Sequence, residues 1–287
     1  MSVDVLQEKI RKTKNPSVVF FEAFSDLIPP SFSQRDGEPV QKIGAYFKEL
    51  LNVLKGVVPA VRFGFGSFAI YGAQGLEQLT SLLAFAKKQG YYVLLDLPEL
   101  LTPAAAQNAV RLLEDPDRFP CDGVVTGAYL GSDVLLPVRQ LCKAGKSVFA
   151  VVRTSNKSAV EIQDLLTGGR LVHIAAVDVV ARHGETVVGK CGYSNLAAVA
   201  AAGSSGSLRT LRTKYNKVFL LLDGYDYPNA NAKNCSYAFD RLGHGASACA
   251  GASIIAAWRE GEGDPLELAV QAAERMKKNL CRYISIF

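Results

Sequence analysis

Eight short apolar runs, separated from one another by turns or by stretches with helical spacing, constrain the fold of this chain most strongly. Each run is continuously apolar, without the alternation of half-exposed strands, which is typical of strands buried on both faces of a parallel sheet. The runs cover residues 17–21, 60–65, 91–96, 123–126, 147–152, 187–191, 218–222 and 245–249.

The segments between the runs carry helix formers at helical spacing. Gln74 to Lys88 places its leucines on one stripe, and Gly90 follows as a C-terminal stop. Strands that alternate with helices over 287 residues predict an α/β (β/α)₈ TIM barrel, one domain over residues 1–287, with an open doubly wound sheet as the alternative. The other predicted helices are Pro103 to Leu113, Ser158 to Thr167, Ser204 to Tyr215, Asn231 to Leu242 and Pro265 to Arg282.

Composition narrows the classes of partner. The net charge of +5 comes with no run of five or six basic residues, so we expect no nucleic-acid partner. No apolar run approaches the roughly 18 residues of a membrane span and no signal-peptide pattern opens the chain, so we expect no membrane contact and a cytoplasmic location. The six cysteines form no CxxC motif, and Cys235, His244 and Cys249 fit no common zinc spacing, so we expect free thiols and no metal.

In a barrel of this class, functional groups lie at the C-terminal ends of the strands. Two acids and a guanidinium, Glu22, Asp96 and Arg62, fall at such predicted ends and could form an ion-paired cluster. The candidate catalytic residues are Asp96, Arg62 and Lys190, the last at the predicted end of strand six. The candidate ligand-binding residues are Glu22, Arg62, Asp96, Thr154, Ser155, Asn156, Asp223, Gly224 and Tyr225.

The stretch Val148 to Ser158, which contains Arg153-Thr154-Ser155-Asn156, and the stretch Tyr129 to Asp133 carry a family resemblance. With them, and in order from Leu6 to the last predicted helix, the sequence resembles the bacterial long form of orotidine 5′-phosphate decarboxylase. The resemblance implies a (β/α)₈ lyase of pyrimidine nucleotide synthesis that uses no cofactor and forms a homodimer with its strand ends facing the partner. It also implies a nucleotide-like or other small polar ligand.

The sequence departs from the family at the positions that carry its reaction. The family motif Asp-x-Lys-x-x-Asp matches Asp96 here, but Pro98 stands at the lysine and Leu101 at the second aspartate. Neither side chain can deliver a proton or hold charge. The family's glycine-rich phosphate loop corresponds to residues 223–229, and its phosphate-binding arginine to Ala252.

Three hypotheses follow from these departures. The chain is a relative without the decarboxylase activity that binds a small ligand or a partner, or an enzyme with a changed reaction on the same rim. The third hypothesis is a decarboxylase that still works through an unexpected lysine, with Lys190 as the candidate.

Overall fold

Ten strands occur in the structure, a computed structural model that describes residues 2–97 and 102–287. Eight of them are parallel and close into one barrel in the order β1-β2-β3-β4-β5-β8-β9-β10, while β6 and β7 form a small antiparallel hairpin. The strands are β1 (Ser17–Phe21), β2 (Ala60–Gly64), β3 (Tyr92–Asp96), β4 (Gly123–Gly127), β5 (Ser147–Val151), β6 (Leu166–Thr167), β7 (Arg170–Leu171), β8 (Ser194–Ala201), β9 (Val218–Asp223) and β10 (Ala246–Ala250). The predicted (β/α)₈ barrel is confirmed.

Helices surround the barrel and connect its strands. They are α1 (Ser2–Thr13), α2 (Pro30–Ser33), α3 (Pro39–Val53), α4 (Phe65–Ala69), α5 (Gly72–Gln89), α6 (Pro103–Glu114), α7 (Ser132–Lys143), α8 (Val172–Gly184), α9 (Ser205–Lys214), α10 (Ala232–Ser236), α11 (Ala252–Ile255) and α12 (Pro265–Cys281). Gly90 ends α5 in the left-handed conformation, as predicted. In the described part of the chain, no helix combines the length and the apolar character that crossing a membrane would need.

The prediction for the sixth barrel strand was wrong. The run at residues 187–191 is a short 3₁₀ turn and a loop, and the strand is β8, which begins at Ser194. Gly192 has φ +87°, and the Gly189 N–H donates to the Tyr193 carbonyl, so the backbone turns where the apolar run suggested a strand. The strand itself is rich in alanine, a weak strand former, and is buried along its whole length.

Two predicted helices also differ from the structure. Residues 158–167 form a 3₁₀ turn, Lys157–Glu161, followed by the β6–β7 hairpin, and the crossover helix is α8. Residues 231–242 contain only the short α10. Both segments lie in loops that follow strand ends, where side-chain contacts, more than helical periodicity, fix the backbone.

Alternation along the strands decides which residues face the barrel interior. Arg62 is paired in register with Phe20 on β1 and with Leu94 on β3. Side chains at one level of neighbouring strands point to the same face, and residues two apart share that face. Arg62, Asp96, Asp223 and Cys249 therefore point into the barrel near the C-terminal ends of the strands, which we call the mouth.

Candidate functional site at the barrel mouth

A buried guanidinium lies at the centre of the mouth. Arg62 is only 4% exposed, and its Nη1 lies 3.0 Å from Asp223 Oδ1, while Nη2 donates to Asp96 Oδ2. Its Cζ lies 4.2 Å from the centre of the Phe20 ring. Burial alone would lower the pKa of Arg62, but the two carboxylates raise it above the ordinary range. Of the predicted cluster, Arg62 and Asp96 are ion-paired, but Asp223 and not Glu22 supplies the second carboxylate. The guanidinium stays charged at any physiological pH.

Glu22 follows β1 at the same mouth. Its carboxylate is half-buried and has no hydrogen-bond or ion-pair partner among residues 2–97 and 102–287. Burial raises its pKa; Arg62 acts in the opposite direction, and Asp96 and Asp223 raise the pKa further. Glu22 is therefore an acid that keeps its proton to a higher pH than an exposed glutamate.

The loop after β5 is tied to the end of β9. Ser155 Oγ donates to the main-chain carbonyl of Asp223 at 2.6 Å. Gly224 follows with φ +76°, and a Cβ there would lie 2.4 Å from Ser155 Oγ. Three predicted ligand-binding residues, Ser155, Asp223 and Gly224, are thus brought together, and only a glycine fits the turn beside the serine.

Thr154 and Asn156 are engaged with each other and with the rest of their loop. Thr154 Oγ1 lies 2.5 Å from Asn156 Oδ1, and the Thr154 N–H donates to Gln163 Oε1 at 2.8 Å. Next to them Arg153 binds the Asp164 carboxylate through two nitrogens, at 3.0 and 2.7 Å. These contacts hold the loop in place, so that Ser155 is the member of the triplet in contact with the end of β9.

Asp226, in the turn after β9, forms a second polar cluster. Its Oδ2 accepts the Gly251 N–H at 2.6 Å, and its Oδ1 accepts the Ser253 hydroxyl. A Cβ on Gly251 would lie 3.1 Å from the main-chain oxygen of Phe20, the residue whose ring covers Arg62. The Asp226 carboxylate therefore accepts hydrogen bonds from two donors at the start of α11, the Gly251 N–H and the Ser253 hydroxyl.

Two of these side chains, Phe20 and Cys249, were absent from the sequence-based site. Cys249 is 2% exposed, and burial raises its pKa, with Arg62 close enough to offset part of that rise. Its inward position follows from the register of β10 with β1, where Cys249 pairs with Val18. The inward position of Phe20 follows in the same way, because Phe20 pairs in register with Arg62. Asp226 and its partner Ser253 carry no spacing signal, because two loops bring them together.

Some predicted residues do not reach the mouth. Lys190 precedes β8, and its neighbour Cys191 donates its N–H to Asp4 on α1, at the opposite end of the barrel. Lys190 therefore lies away from the mouth, and not at a strand end as predicted. Tyr225 is half-buried and lines a groove beside α12. Pro98 and Leu101 lie outside the described residues.

The three residues that came nearest to a metal cluster have separate partners. Cys235 Sγ lies 3.8 Å from the Ala202 carbonyl, His244 Nε2 lies 3.0 Å from the Phe287 carbonyl, and Cys249 faces Arg62. Over residues 2–97 and 102–287, no three metal-binding side chains are grouped in a way that could hold an ion.

Comparison with known proteins agrees with this architecture. No family model matches the sequence. Orotidine 5′-phosphate decarboxylase of Clostridium perfringens is 25% identical over 261 residues, which cover 90% of either chain. The enzyme of the same name from Clostridium novyi is 24% identical over 285 residues, 98% of either chain.

Solved structures show the same fold. The orotidine 5′-monophosphate decarboxylase of Plasmodium berghei superposes with a TM-score of 0.77 at 13% identity, covering 98% of each chain. The OMP decarboxylase of Leishmania donovani superposes with a TM-score of 0.74 at 19% identity, covering 97% of this chain and 98% of that one. Sequence matches along nearly the whole chain and the shared closed barrel lead to one conclusion: the chain is similar throughout its length to orotidine 5′-phosphate decarboxylases and has their fold.

Proposed function

We propose that this chain is a member of the orotidine 5′-phosphate decarboxylase family that no longer decarboxylates orotidine 5′-phosphate, and that its barrel mouth binds a small polar ligand. The observation that carries the proposal is the neutralised Arg62. Both of its terminal nitrogens are engaged, one by Asp96 and one by Asp223. The cation at the mouth is thereby committed to the protein's own carboxylates.

Cofactor-free decarboxylation needs a group that stabilises a carbanion and then protonates it. Arg62 is a poor proton donor, because its two carboxylate partners raise a pKa that is already high. In the sequence, proline stands at 98 and leucine at 101, where the family motif has lysine and aspartate. Loss of a general acid alone lowers a rate by roughly 10²- to 10⁴-fold.

The residues of the mouth also disfavour binding of a phosphate group. Asp226 already accepts the Gly251 N–H and the Ser253 hydroxyl, and Ala252 supplies no charge. The carboxylates of Asp96 and Asp223 bind the Arg62 guanidinium, and Glu22 lies close enough to feel all three charges, so that carboxylates outnumber the cation in this cluster. Two like charges 4 Å apart repel by about 4 kcal/mol at an effective dielectric constant of 20. The mouth therefore favours a neutral or cationic ligand that donates hydrogen bonds.

An absorbance assay tests the loss of activity. The purified protein is mixed with orotidine 5′-monophosphate, and the change in ring absorbance is followed, with the Arg62→Met variant prepared in parallel. We expect no turnover above the background, and any residual signal should be equal in both preparations because it comes from a contaminating enzyme. Turnover near the typical enzyme rate of about 1 s⁻¹ or above, lost in the variant, would refute the proposal.

Glu22 favours a second candidate function, an enzyme with a changed reaction at the same mouth. Its half-buried carboxylate has no partner in the described chain, and its raised pKa suits a general acid or base. A panel of small amines and amides would be screened by thermal shift, and hits would be followed for conversion by NMR. If the chain is an enzyme, Glu22→Gln should retain binding of a converted hit and abolish its conversion; binding without conversion supports the first candidate.

We also propose a cytoplasmic homodimer formed through the strand-end face. Apolar side chains are exposed in the loops that follow β4 and β5, and Tyr129 from the first loop donates its hydroxyl to the Val152 carbonyl beside the second. The exposed residues are Tyr129, Leu130, Val160, Ile162, Leu165 and Leu166. Such a patch is typical of an interface. Sedimentation should give a dimer that Leu165→Glu/Leu166→Glu dissociates; a monomeric parent chain would refute it.

A further inference from the structure

A groove of about 530 Å³ lies outside the mouth, between the turn that follows β9, the short helix α10 and the end of α12. Its polar lining consists of Tyr225, Asn231, Lys233, Asn279, Arg282 and Tyr283, and two alanines complete the wall. The volume is within the range of roughly 300 to 1,000 Å³ that small-molecule sites occupy.

The charge of the groove is entirely positive. Lys233 and Arg282 are exposed, and neither has an ion-pair partner among residues 2–97 and 102–287. No carboxylate is among the described residues that line the groove. Asp226, the acid nearest in sequence to Tyr225, is held by Gly251 and Ser253. The groove thus differs from the mouth, where carboxylates outnumber the cation.

The aromatic lining is partly fixed in position. Tyr225 is half-buried, and its N–H donates to the Cys249 carbonyl at 3.1 Å. Burial raises the pKa of Tyr225 to about 12, so its hydroxyl remains a neutral donor at physiological pH. Tyr283, two residues after the end of α12, also lines the groove and is 54% exposed. The two phenols offer flat apolar surface with polar edges.

We propose that this groove binds an aromatic phosphate monoester of the nucleoside monophosphate class. Arginine and lysine together match a phosphate, since guanidinium can bind two of its oxygens and ammonium adds a point charge. The tyrosines would contact the planar base, and the carboxamides of Asn231 and Asn279 can pair with its edge, because an amide both donates and accepts. The site is independent of the ligand proposed for the mouth.

Calorimetric titration of the full chain at low salt tests the proposal. The probes are uridine 5′-monophosphate, adenosine 5′-monophosphate, uridine and inorganic phosphate. We expect both monophosphates to bind, and Lys233→Ala/Arg282→Ala to weaken them by roughly tenfold or more, since charge-assisted hydrogen bonds are lost. Tyr283→Ala should weaken them by roughly two- to tenfold through lost ring contact.

A control variant removes the same amount of charge from exposed residues that do not line the groove. Arg275→Ala/Lys278→Ala changes two exposed cations on α12 that do not line it, and should leave the affinities within about twofold. Thermal unfolding of every variant confirms folding. Absence of monophosphate binding, equal weakening by both double variants, or phosphate alone binding as tightly as the monophosphates would each overturn the proposal.

Discussion

Arg62 and Asp223 form an ion pair across the barrel interior, with Nη1 3.0 Å from Oδ1, although β1 and β10 separate their strands in the barrel wall. The main-chain carbonyl of the same Asp223 accepts the Ser155 hydroxyl from the loop after β5. Three strand ends are therefore connected through one aspartate. The cation at the centre of the mouth therefore also links these strand ends structurally.

Replacement of Arg62 by methionine should destabilise the barrel strongly. The change removes the guanidinium that pairs with the Asp96 carboxylate, which is only 8% exposed, and removal of one partner of a buried pair costs about 3 to 5 kcal/mol. Asp223→Asn should cost less, because the Asp223 side chain is 35% exposed and Arg62 keeps Asp96. Urea denaturation at pH 7 measures both, and equal stability of Arg62→Met and the parent would contradict the expectation.

Gly224→Ala should destabilise the protein and disturb the mouth. An alanine at φ +76° is strained by about 1 to 2 kcal/mol, and its Cβ would lie 2.4 Å from Ser155 Oγ. Gly127→Ala is the matched control, because the added Cβ would meet nothing within 4 Å and the residue has no positive φ. Denaturation midpoints should fall clearly for the first variant and little for the second; the reverse order would refute this description of the turn.

The sequence predicts most of the barrel because strands buried on both faces read as continuous apolar runs, and seven of the eight runs overlap a barrel strand. The strand β8 was not predicted, because alanine is a weak strand former and burial decides the conformation of this segment. Four of its residues are alanines, Ala197, Ala198, Ala200 and Ala201. That error placed Lys190 at the wrong end of the barrel.

Sequence patterns predicted the position of residues that come directly from strand ends. Arg62 and Asp96 lie on the adjacent strands β2 and β3, which both overlap predicted runs. The contact of Asp226 with Gly251 and Ser253 depends on two loops that are 25 residues apart in the chain, and no periodicity encodes it. Side-chain contacts between loops are therefore the part of the mouth that sequence patterns miss.

Glu22→Gln should stabilise the protein at neutral pH. The pKa of Glu22 is raised in the folded state by burial, so the folded protein binds a proton more readily than the unfolded chain. Stability attributable to this group falls as the pH rises through the range between its unfolded and folded pKa values. The variant should therefore gain in melting temperature at pH 7 relative to the parent and gain little at pH 4. A gain that is larger at pH 4 would contradict the direction of the shift.

Asp164→Asn should produce the opposite pH dependence. The two hydrogen bonds from Arg153 lower the pKa of Asp164 below its ordinary value, and His173 adds to the effect. A depressed carboxyl pKa gives stability that is present above the unfolded pKa of about 3.9 and is lost as the pH falls through the folded value. The variant should therefore lose about 2 kcal/mol at pH 7, the order of a charge-assisted hydrogen bond, and the difference from the parent should shrink below pH 4.

The control variant is Asp115→Asn, which removes an exposed partner of Arg118 at 3.8 Å. It should change the free energy of unfolding by less than about 0.5 kcal/mol at either pH. Of these two pairs, the Arg153–Asp164 pair is the one shielded from water. If the loss of stability for Asp164→Asn stayed constant from pH 7 to pH 3, packing and not charge would hold the loop after β5.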